Sequence, residues 1–336
     1  MRYFLGVDGG NSKTYALLCD ETGRFLALGR SGSSNHQSAG GIARAMAELA
    51  IAVDGALGQA GVAAGDVTHT VFCLAGADFA SDYGLLEDAI GARWPGLAFT
   101  VRNDSFAGLR AGATRGWGVV SVAGTGNNQV GIAPDGRALQ VGGMGYIYGD
   151  FGGGGDLGRE AIRAVFMGAE LRGPATALEG PVLVAMNMPS VAALGDALYH
   201  ETYERGRIHR LAPLVFEAAS EGDQAAQEIL VRTGTLLGQS AGAVIRQLGL
   251  EATDVDVVLS GSTWKGSNPL MIDAFRLAVH RVAPRARLVR LRYEPVVGSW
   301  CLSVEAVGLK VTADMYRTLE ETLPPELPVA KEGFQA

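Results

Sequence analysis

The amino-acid sequence predicts an α/β protein made of a duplicated domain, the two copies facing one another across a central cleft. Three observations carry this expectation. Short apolar strand segments alternate with helical patterns from residue 4 onward, as in a mixed sheet covered by helices. The order strand, glycine turn, strand, Gly-Arg turn, strand occurs at residues 4–29 and again at 118–143, and a repeat of this size reads as a duplicated domain. A chain of 336 residues leaves room for two domains of about 150 residues, each with its own core.

The elements follow in order. Phe4-Leu5-Gly6-Val7-Asp8 reads as a strand ending in Gly9-Gly10. Residues 15–20 and 25–29, joined through Gly23-Arg24, read as a hairpin. The alanine-rich stretch 42–57 has helical periodicity, 70–76 is a buried strand, 82–93 a helix and 99–103 another strand. In the second copy 118–126 is a strand entering a tight glycine turn, 130–133 a strand, and Asp135-Gly136-Arg137 turns the chain into 138–143. The first helix of this half is expected at 159–171, with 177–206 and 211–247 largely helical. Residues 254–261 form a buried strand, and Asn268-Pro269 opens a helix to about Val282. A last strand, 286–292, precedes a helix from about Ser299 to Leu319. The domains are expected at 1–117 and 118–302.

Composition excludes several function classes. Lys and Arg total 28 against 35 Asp and Glu, a formal charge of −7 with no like-charge run, so no basic face for nucleic acid is expected. No stretch of 18 apolar residues occurs, and 181–198 is broken by Asn187, Pro189 and Asp196, which argues against a membrane span. The start turns acidic and glycine-rich too early for a signal peptide. Cys19, Cys73 and Cys301 are far apart without CxxC spacing, as suits a reducing cytoplasm rather than a disulfide framework or metal cluster. Glycine is the excess: 48 residues, about twice the usual ~7%.

The glycines mark candidate sites. Asp8-Gly9-Gly10-Asn11-Ser12-Lys13-Thr14 lacks the adjacent Gly-Lys and following helix of a P-loop. It still suits phosphate: Gly9 and Gly10 admit close backbone approach, and Ser12 and Thr14 offer hydroxyls. Asp8 stands where it would hold Mg²⁺ through water, although a plain hairpin turn reads equally well. Gly124-Thr125-Gly126-Asn127-Asn128 is its counterpart, and together the turns would pinch a nucleotide phosphate. Asn103-Asp104-Ser105 ends a strand, where a carboxylate can take a hydroxyl proton or simply cap the next helix. Nine of residues 142–158 are glycine, with Asp150 and Asp156 the only charges. Tyr146, Ile147, Tyr148, Phe151 and Leu157 make that run too apolar for a free linker, so it reads as a binding loop feeding a helix N-terminus. Ser260-Gly261-Ser262-Thr263-Trp264-Lys265-Gly266 suits a purine beside Trp264, or a structural turn.

In this order the segments resemble the N-acetylglucosamine kinase family, in the BadF/BadG-type ATPase branch of the sugar kinase, heat-shock protein and actin superfamily. The resemblance runs from Gly6 to about Leu309. It rests on Gly6-Val7-Asp8-Gly9-Gly10, Ser34-Asn35-His36, Asn103-Asp104, Gly124-Thr125-Gly126, and Gly142-Gly143 followed by Gly149-Asp150. It implies a ribonuclease H-like, actin/hexokinase-type two-domain ATPase, with a C-terminal helix at about 303–320 packed back on the first domain. It implies ATP- and Mg²⁺-dependent phosphorylation of an amino sugar, N-acetyl-D-glucosamine at its 6-hydroxyl, with Asp104 as general base. Asn35, Asn128, Gly143 and Asp150 match sugar-contacting positions, and Ser12 and Thr125 the two phosphate-turn hydroxyls. Gly261 and Lys265, with Ala219, match the nucleotide lining. A cytoplasmic homodimer is implied too.

One departure stands out. The family's Gly-Asp-Glu-Gly-Ser-Gly is here Gly149-Asp150-Phe151-Gly152-Gly153-Gly154, which leaves open glucosamine, N-acetylmannosamine or N-acetylmuramate as acceptor, and also a non-catalytic sugar sensor. A second rival shares the ATPase core: the activators of radical acyl-CoA enzymes. Those carry a cysteine-bound iron–sulfur cluster, for which the three scattered cysteines provide no ligand set.

Overall fold

In the computed structural model, which describes residues 1–38 and 40–330, strand β1 (Tyr3–Gly9) is the centre of a five-stranded sheet. It pairs antiparallel with β2 (Thr14–Asp20), which pairs antiparallel with β3 (Phe25–Ser31). On its other side β1 pairs parallel with β4 (Val67–Leu74), and β4 with β5 (Phe99–Asn103). Alternate side chains leave opposite faces of a strand. Leu5 and Val7 accordingly enter a core with Leu49 and Val53 of α1 (Gly41–Ala60) and Leu86 and Ile90 of α2 (Ala80–Arg93). Phe4 enters the core on the other face. Both faces being covered, the parallel strands read as almost continuous apolar runs. Helix α3 (Ser105–Gly112) follows β5.

The second sheet repeats the first. Its strands are β6 (Gly118–Ala123), β7 (Asn127–Ile132), β8 (Ala138–Val141), then β9 (Asp256–Ser260) and β10 (Arg287–Arg290). Their order, β10-β9-β6-β7-β8, is that of β5-β4-β1-β2-β3, so the duplication read in the sequence is a duplication of topology. Helices α4 (Gly154–Ala169), α5 (Glu179–Met186), α6 (Val191–Tyr199), α7 (Ala212–Ser220) and α8 (Gln224–Leu248) lie between β8 and β9. Helix α9 (Leu270–His280) lies between β9 and β10. A glycine stripe four residues apart lets α8 approach α9 closely: a Cβ on Gly234 would lie 2.0 Å from Met271 O, and one on Gly238 2.7 Å from Phe275 O. No single helix among the described residues is long and apolar enough to cross a membrane.

The chain then returns. Its described residues divide into two compact units, 1–120 with 289–330, and Ser121–Leu288. Helices α10 (Pro295–Glu305) and α11 (Ala313–Thr322) belong to the first unit. Trp300 and Val297 of α10 bury against Phe4 and Leu17, and α10 runs so close to β1 that a Cβ on Gly6 would lie 2.2 Å from Trp300 N. The expected second domain, 118–302, therefore extends too far, because α10 completes the core of the first sheet. The single helix expected over 299–319 is two helices, broken at Gly308 (φ 78) and restarted by Thr312, whose side chain accepts from Met315 N at 3.2 Å. Helix α4 starts at Gly154, five residues before the expected 159: its first turn is glycine-rich and so of low helix propensity, but Gly155 and Gly158 are packed where a Cβ would lie 2.9 Å from His209 Cε1 and 2.0 Å from Ile208 O. The helical region expected over 177–206 breaks at Asn187 (φ 58) and is recapped by Ser190.

Candidate active site

In the first unit the C-terminal ends of three parallel strands meet. Asp8 is the next-to-last residue of β1, and Asp104 follows β5 directly. The loops are laced together by Ala75 N donating to Gly9 O (2.7 Å) and Asp104 N to Leu74 O (3.3 Å). Such an edge is the usual binding side of an open α/β sheet. Both carboxylates are partly exposed, and both are hard to ionise. Burial, then the charge of Asp104, pushes Asp8 up to about 7, with Lys13 opposing. Burial, then the charge of Asp78, pushes Asp104 up to about 6, while hydrogen bonds from Ser105 hold it down. Asn103 organises this corner: its Nδ2 donates to Asp78 Oδ1 (2.9 Å), and its Oδ1 accepts Ser105 N (3.0 Å). The start of α3 is thus capped one residue before Asp104.

Asn35 joins the same edge. Its Nδ2 donates to Asn11 Oδ1 (2.7 Å) and its Oδ1 accepts Gln37 N (2.8 Å). Gly76 (φ +85) packs so close that a Cβ there would lie 2.6 Å from Asn35 Oδ1. The Gly9-Gly10 turn differs from expectation in one respect. Thr14 is buried, and its hydroxyl donates to Gly32 O and bonds the Ser34 hydroxyl, both at 2.8 Å, so it braces the hairpin and faces no ligand. Ser12 stays exposed, Gly10 N is spent on Lys13 O (2.9 Å), and Lys13 Nζ pairs with Glu294 (3.1 Å).

In the second unit the Gly124-Thr125-Gly126 turn is gripped by the start of α4. Gly154 N donates to Gly124 O (2.7 Å) and Gly155 N to Thr125 O (3.2 Å). A Cβ on Gly153 would lie 2.5 Å from both Gly126 Cα and Thr125 O, so the family's serine does not fit there. Beside this turn lies a pocket of about 410 Å³, lined among others by Thr125, His209, Phe216, Thr263 and Lys265. That is within the ~300–1,000 Å³ of small-molecule sites. Gly261 (φ +109) stands behind this wall, packed 2.3 Å from Ala123 O as a Cβ would measure it. Ala219 does not line the pocket; it is buried on α7, where its carbonyl accepts Gln227 Nε2 (3.1 Å). Trp264 does not face the pocket as a purine shelf either. It is 2% exposed, donates to Ser121 O (2.9 Å) and packs edge-on against Phe275.

The 142–158 run splits into loop and helix. Asp150 organises the loop: its Oδ2 accepts Met144 N and Gly145 N, both at 2.7 Å, and a Cβ on Gly142 would meet its Oδ1 at 2.5 Å. Gly143 (φ +87) packs on Asn128. Gly143 and Asp150 line a smaller pocket of about 170 Å³ with Gly126, Tyr146, Arg159 and His209. Asp156 receives Gly152 N (2.9 Å), Gly153 N (3.1 Å) and Arg159. Phe151, at the family's glutamate position, is buried with Arg232 over its ring at 4.9 Å. Sequence reasoning missed Asp78, Glu294, His209 and Phe216. Asp78 had a weak signal, a carboxylate four residues after a buried strand; His209 lies in a short 3₁₀ segment with no motif. The three cysteines are all buried, and burial lifts the Cys73 thiol to about 12.

Comparison with known proteins bears on the family and the fold. Residues 5–302 match the model of the BadF/BadG/BcrA/BcrD ATPase family. The N-acetylmuramic acid/N-acetylglucosamine kinase of Clostridium acetobutylicum is 29% identical over 301 residues, covering 89% of this chain and 97% of that protein. The N-acetyl-D-glucosamine kinase of Dictyostelium discoideum is 27% identical over 314 residues, 90% of this chain and 98% of that one. A Chromobacterium violaceum structure described as a 'putative N-acetylglucosamine kinase' superposes with a TM-score of 0.69 at 27% identity, covering 90% of this chain and 99% of its own.

Proposed function

The chain belongs to the BadF/BadG/BcrA/BcrD ATPase family, and we propose that it is an ATP-dependent amino-sugar kinase whose acceptor is N-acetyl-D-glucosamine, phosphorylated at the 6-hydroxyl. The observation that carries this reading is Asp104: a carboxylate at the mouth of parallel strands, pushed up to about 6 and backed by Asp78 through Asn103. A base poised near the working pH is both ionised and able to hold a proton. The kinase names of relatives aligned over nine-tenths of the chain support it.

In this reading Asp104 takes the proton of the acceptor hydroxyl as its oxygen bonds to the γ-phosphorus and the bond to the β-phosphate oxygen breaks, releasing ADP. Asn35, Asn128, Gly143 and Asp150 orient the sugar. The Gly124–Gly126 turn and Thr125 hold phosphates, as do Gly9, Gly10 and Ser12, and Lys265 lies along the nucleotide. Asp8 fits Mg²⁺: burial and Asp104 hold its carboxylate near 7, a strained charge that a cation relieves. Mg²⁺ would supply charge neutralisation on the phosphates. Positioning and electrostatics provide most of the acceleration in such transfers, and the base about 10²–10⁴-fold.

The test is Asp104→Asn in a coupled ADP-release assay. Turnover should fall by about 10²–10⁴-fold with ATP affinity retained, and wild-type turnover would refute the assignment. Running N-acetylglucosamine, glucosamine, N-acetylmannosamine and N-acetylmuramate side by side ranks the acceptors, and no turnover on any would favour a sensor. By the same resemblance the protein is a cytoplasmic homodimer, which sedimentation would check.

A further inference from the structure

A pocket of about 540 Å³ in the first unit belongs to none of the machinery above. Its walls are Arg110 and Ala111–Thr114 at the end of α3, Arg292 and Tyr293 before α10, and Ala313, Tyr316, Arg317 and Glu320 of α11. Arg110, 7% exposed, donates to Glu305 through Nε and Nη2 (2.8–3.1 Å) and to the Tyr316 hydroxyl through Nη1 (2.7 Å). Arg292 donates to Glu320 (2.7 Å), and Arg317 to Asp314 (2.6 Å). A guanidinium carries five N–H donors, so these bonds leave donors on each of the three. Three arginines therefore line the pocket with one carboxylate, Glu320; each is already ion-paired, to Glu305, Glu320 and Asp314 in turn, and what it offers a ligand is the donors those bonds leave. Ala313 begins α11, whose positive end adds to the field. Tyr293 and Tyr316 stack 5.6 Å apart and form a flat wall.

We propose that this pocket binds a phosphate monoester of the size of a hexose phosphate or mononucleotide and regulates transfer through α3. The volume lies in the ~300–1,000 Å³ range of small-molecule sites, and inorganic phosphate alone would leave most of it empty. Arginine forks match phosphate oxygens in geometry as well as charge. Helix α3 is the connection. It starts directly after Asp104 and ends at Gly112 on the pocket wall, a span of about 12 Å for eight residues. Arg110 already ties the far end of that helix to α11 through the Tyr316 hydroxyl, and an ester bridging Arg110 and Arg317 adds a second tie there. The regulatory half rests on the reading of Asp104 as base, and the binding half does not.

Calorimetry on the full chain, with N-acetylglucosamine 6-phosphate, AMP and inorganic phosphate as probes, decides it. One of the two esters should bind more tightly than phosphate. The same ester should bind about 10-fold more weakly to Arg317→Glu and to Arg292→Ala/Arg317→Ala, since each loses charged hydrogen bonds. ADP affinity should stay unchanged in both variants, which shows that they are folded. Equal ester binding in wild type and variants overturns the proposal, as does no ester binding in the wild type or displacement of the ester by the acceptor sugar. In the ADP-release assay the bound ester should change wild-type kcat and leave the variants' kcat alone; binding without a rate change overturns the regulatory half. A wild type inactive on every acceptor refutes the kinase reading, while the calorimetry still judges the pocket.

Discussion

At the scale of single residues, the two carboxylates at the strand ends, Asp8 and Asp104, are the ones whose protonation the fold shifts towards neutral pH. Both are held above the ordinary 3.8, to about 7 and about 6. The native state therefore binds their protons more tightly than the unfolded chain does. Their contribution to stability is greatest below about pH 4 and is lost as pH rises through 6 and 7. Asp8→Asn removes the charge and should raise Tm at pH 8, with the gain vanishing near pH 4; an equal Tm difference at both pH values would contradict burial as the cause. For Asp104 the same shift predicts that kcat/KM in the absence of inhibitors rises through about pH 6 and then levels. Asp104 was visible in the sequence as a carboxylate at a strand end, a local pattern that reads as a helix cap as well as a base, and only the family resemblance pointed to the base. Asp78, which raises it, was not, because the two meet only through the folded loops after β4 and β5.

At the scale of elements, glycine decides how closely one piece approaches another. Gly153 is pressed against Gly126 and Thr125, and that contact seats the start of α4 on the Gly124–Gly126 turn. Gly153→Ser, which restores the family residue, should therefore cost about 1–3 kcal/mol by overpacking and weaken ATP binding. Calorimetry and thermal melting check both, and an unaltered ATP affinity would show that the clamp is unimportant. Gly298→Ala probes the first unit in the same way, because its Cβ would lie 2.0 Å from Ala107 O. A loss of about 1–3 kcal/mol is expected in urea unfolding. The cluster of glycines was visible in the sequence. Their use as contact surfaces was not, because each one's neighbour comes from a distant segment.

At the scale of the whole molecule, the first unit is discontinuous in sequence: it pauses at Val120 and resumes at Val289, and α10 returns to it. A chain ending at Leu288 would leave Phe4, Leu17 and Cys19 without Trp300, Val297 and Cys301. Limited proteolysis of that truncated chain should cut residues 1–120 readily and spare 121–288. Equal protection of both would show that α10 is dispensable. The twofold order of strands explains why the repeat was detectable: each copy must make the same hairpin and the same glycine turn to build the same sheet.

The sequence by itself determined the alternation of strands and helices, the duplication, both glycine turns and the position of Asp104, since period, turn chemistry and strand ends are properties of neighbouring residues. Tertiary structure alone decided which atoms are left for a ligand. Thr14 is spent on Ser34, Trp264 on Ser121, and two amides on Asp150, while His209 and Phe216 are carried to the pocket wall from segments without a motif. A hydrogen bond or a van der Waals contact joins residues that are near in space. Separation along the chain says nothing of who that partner will be.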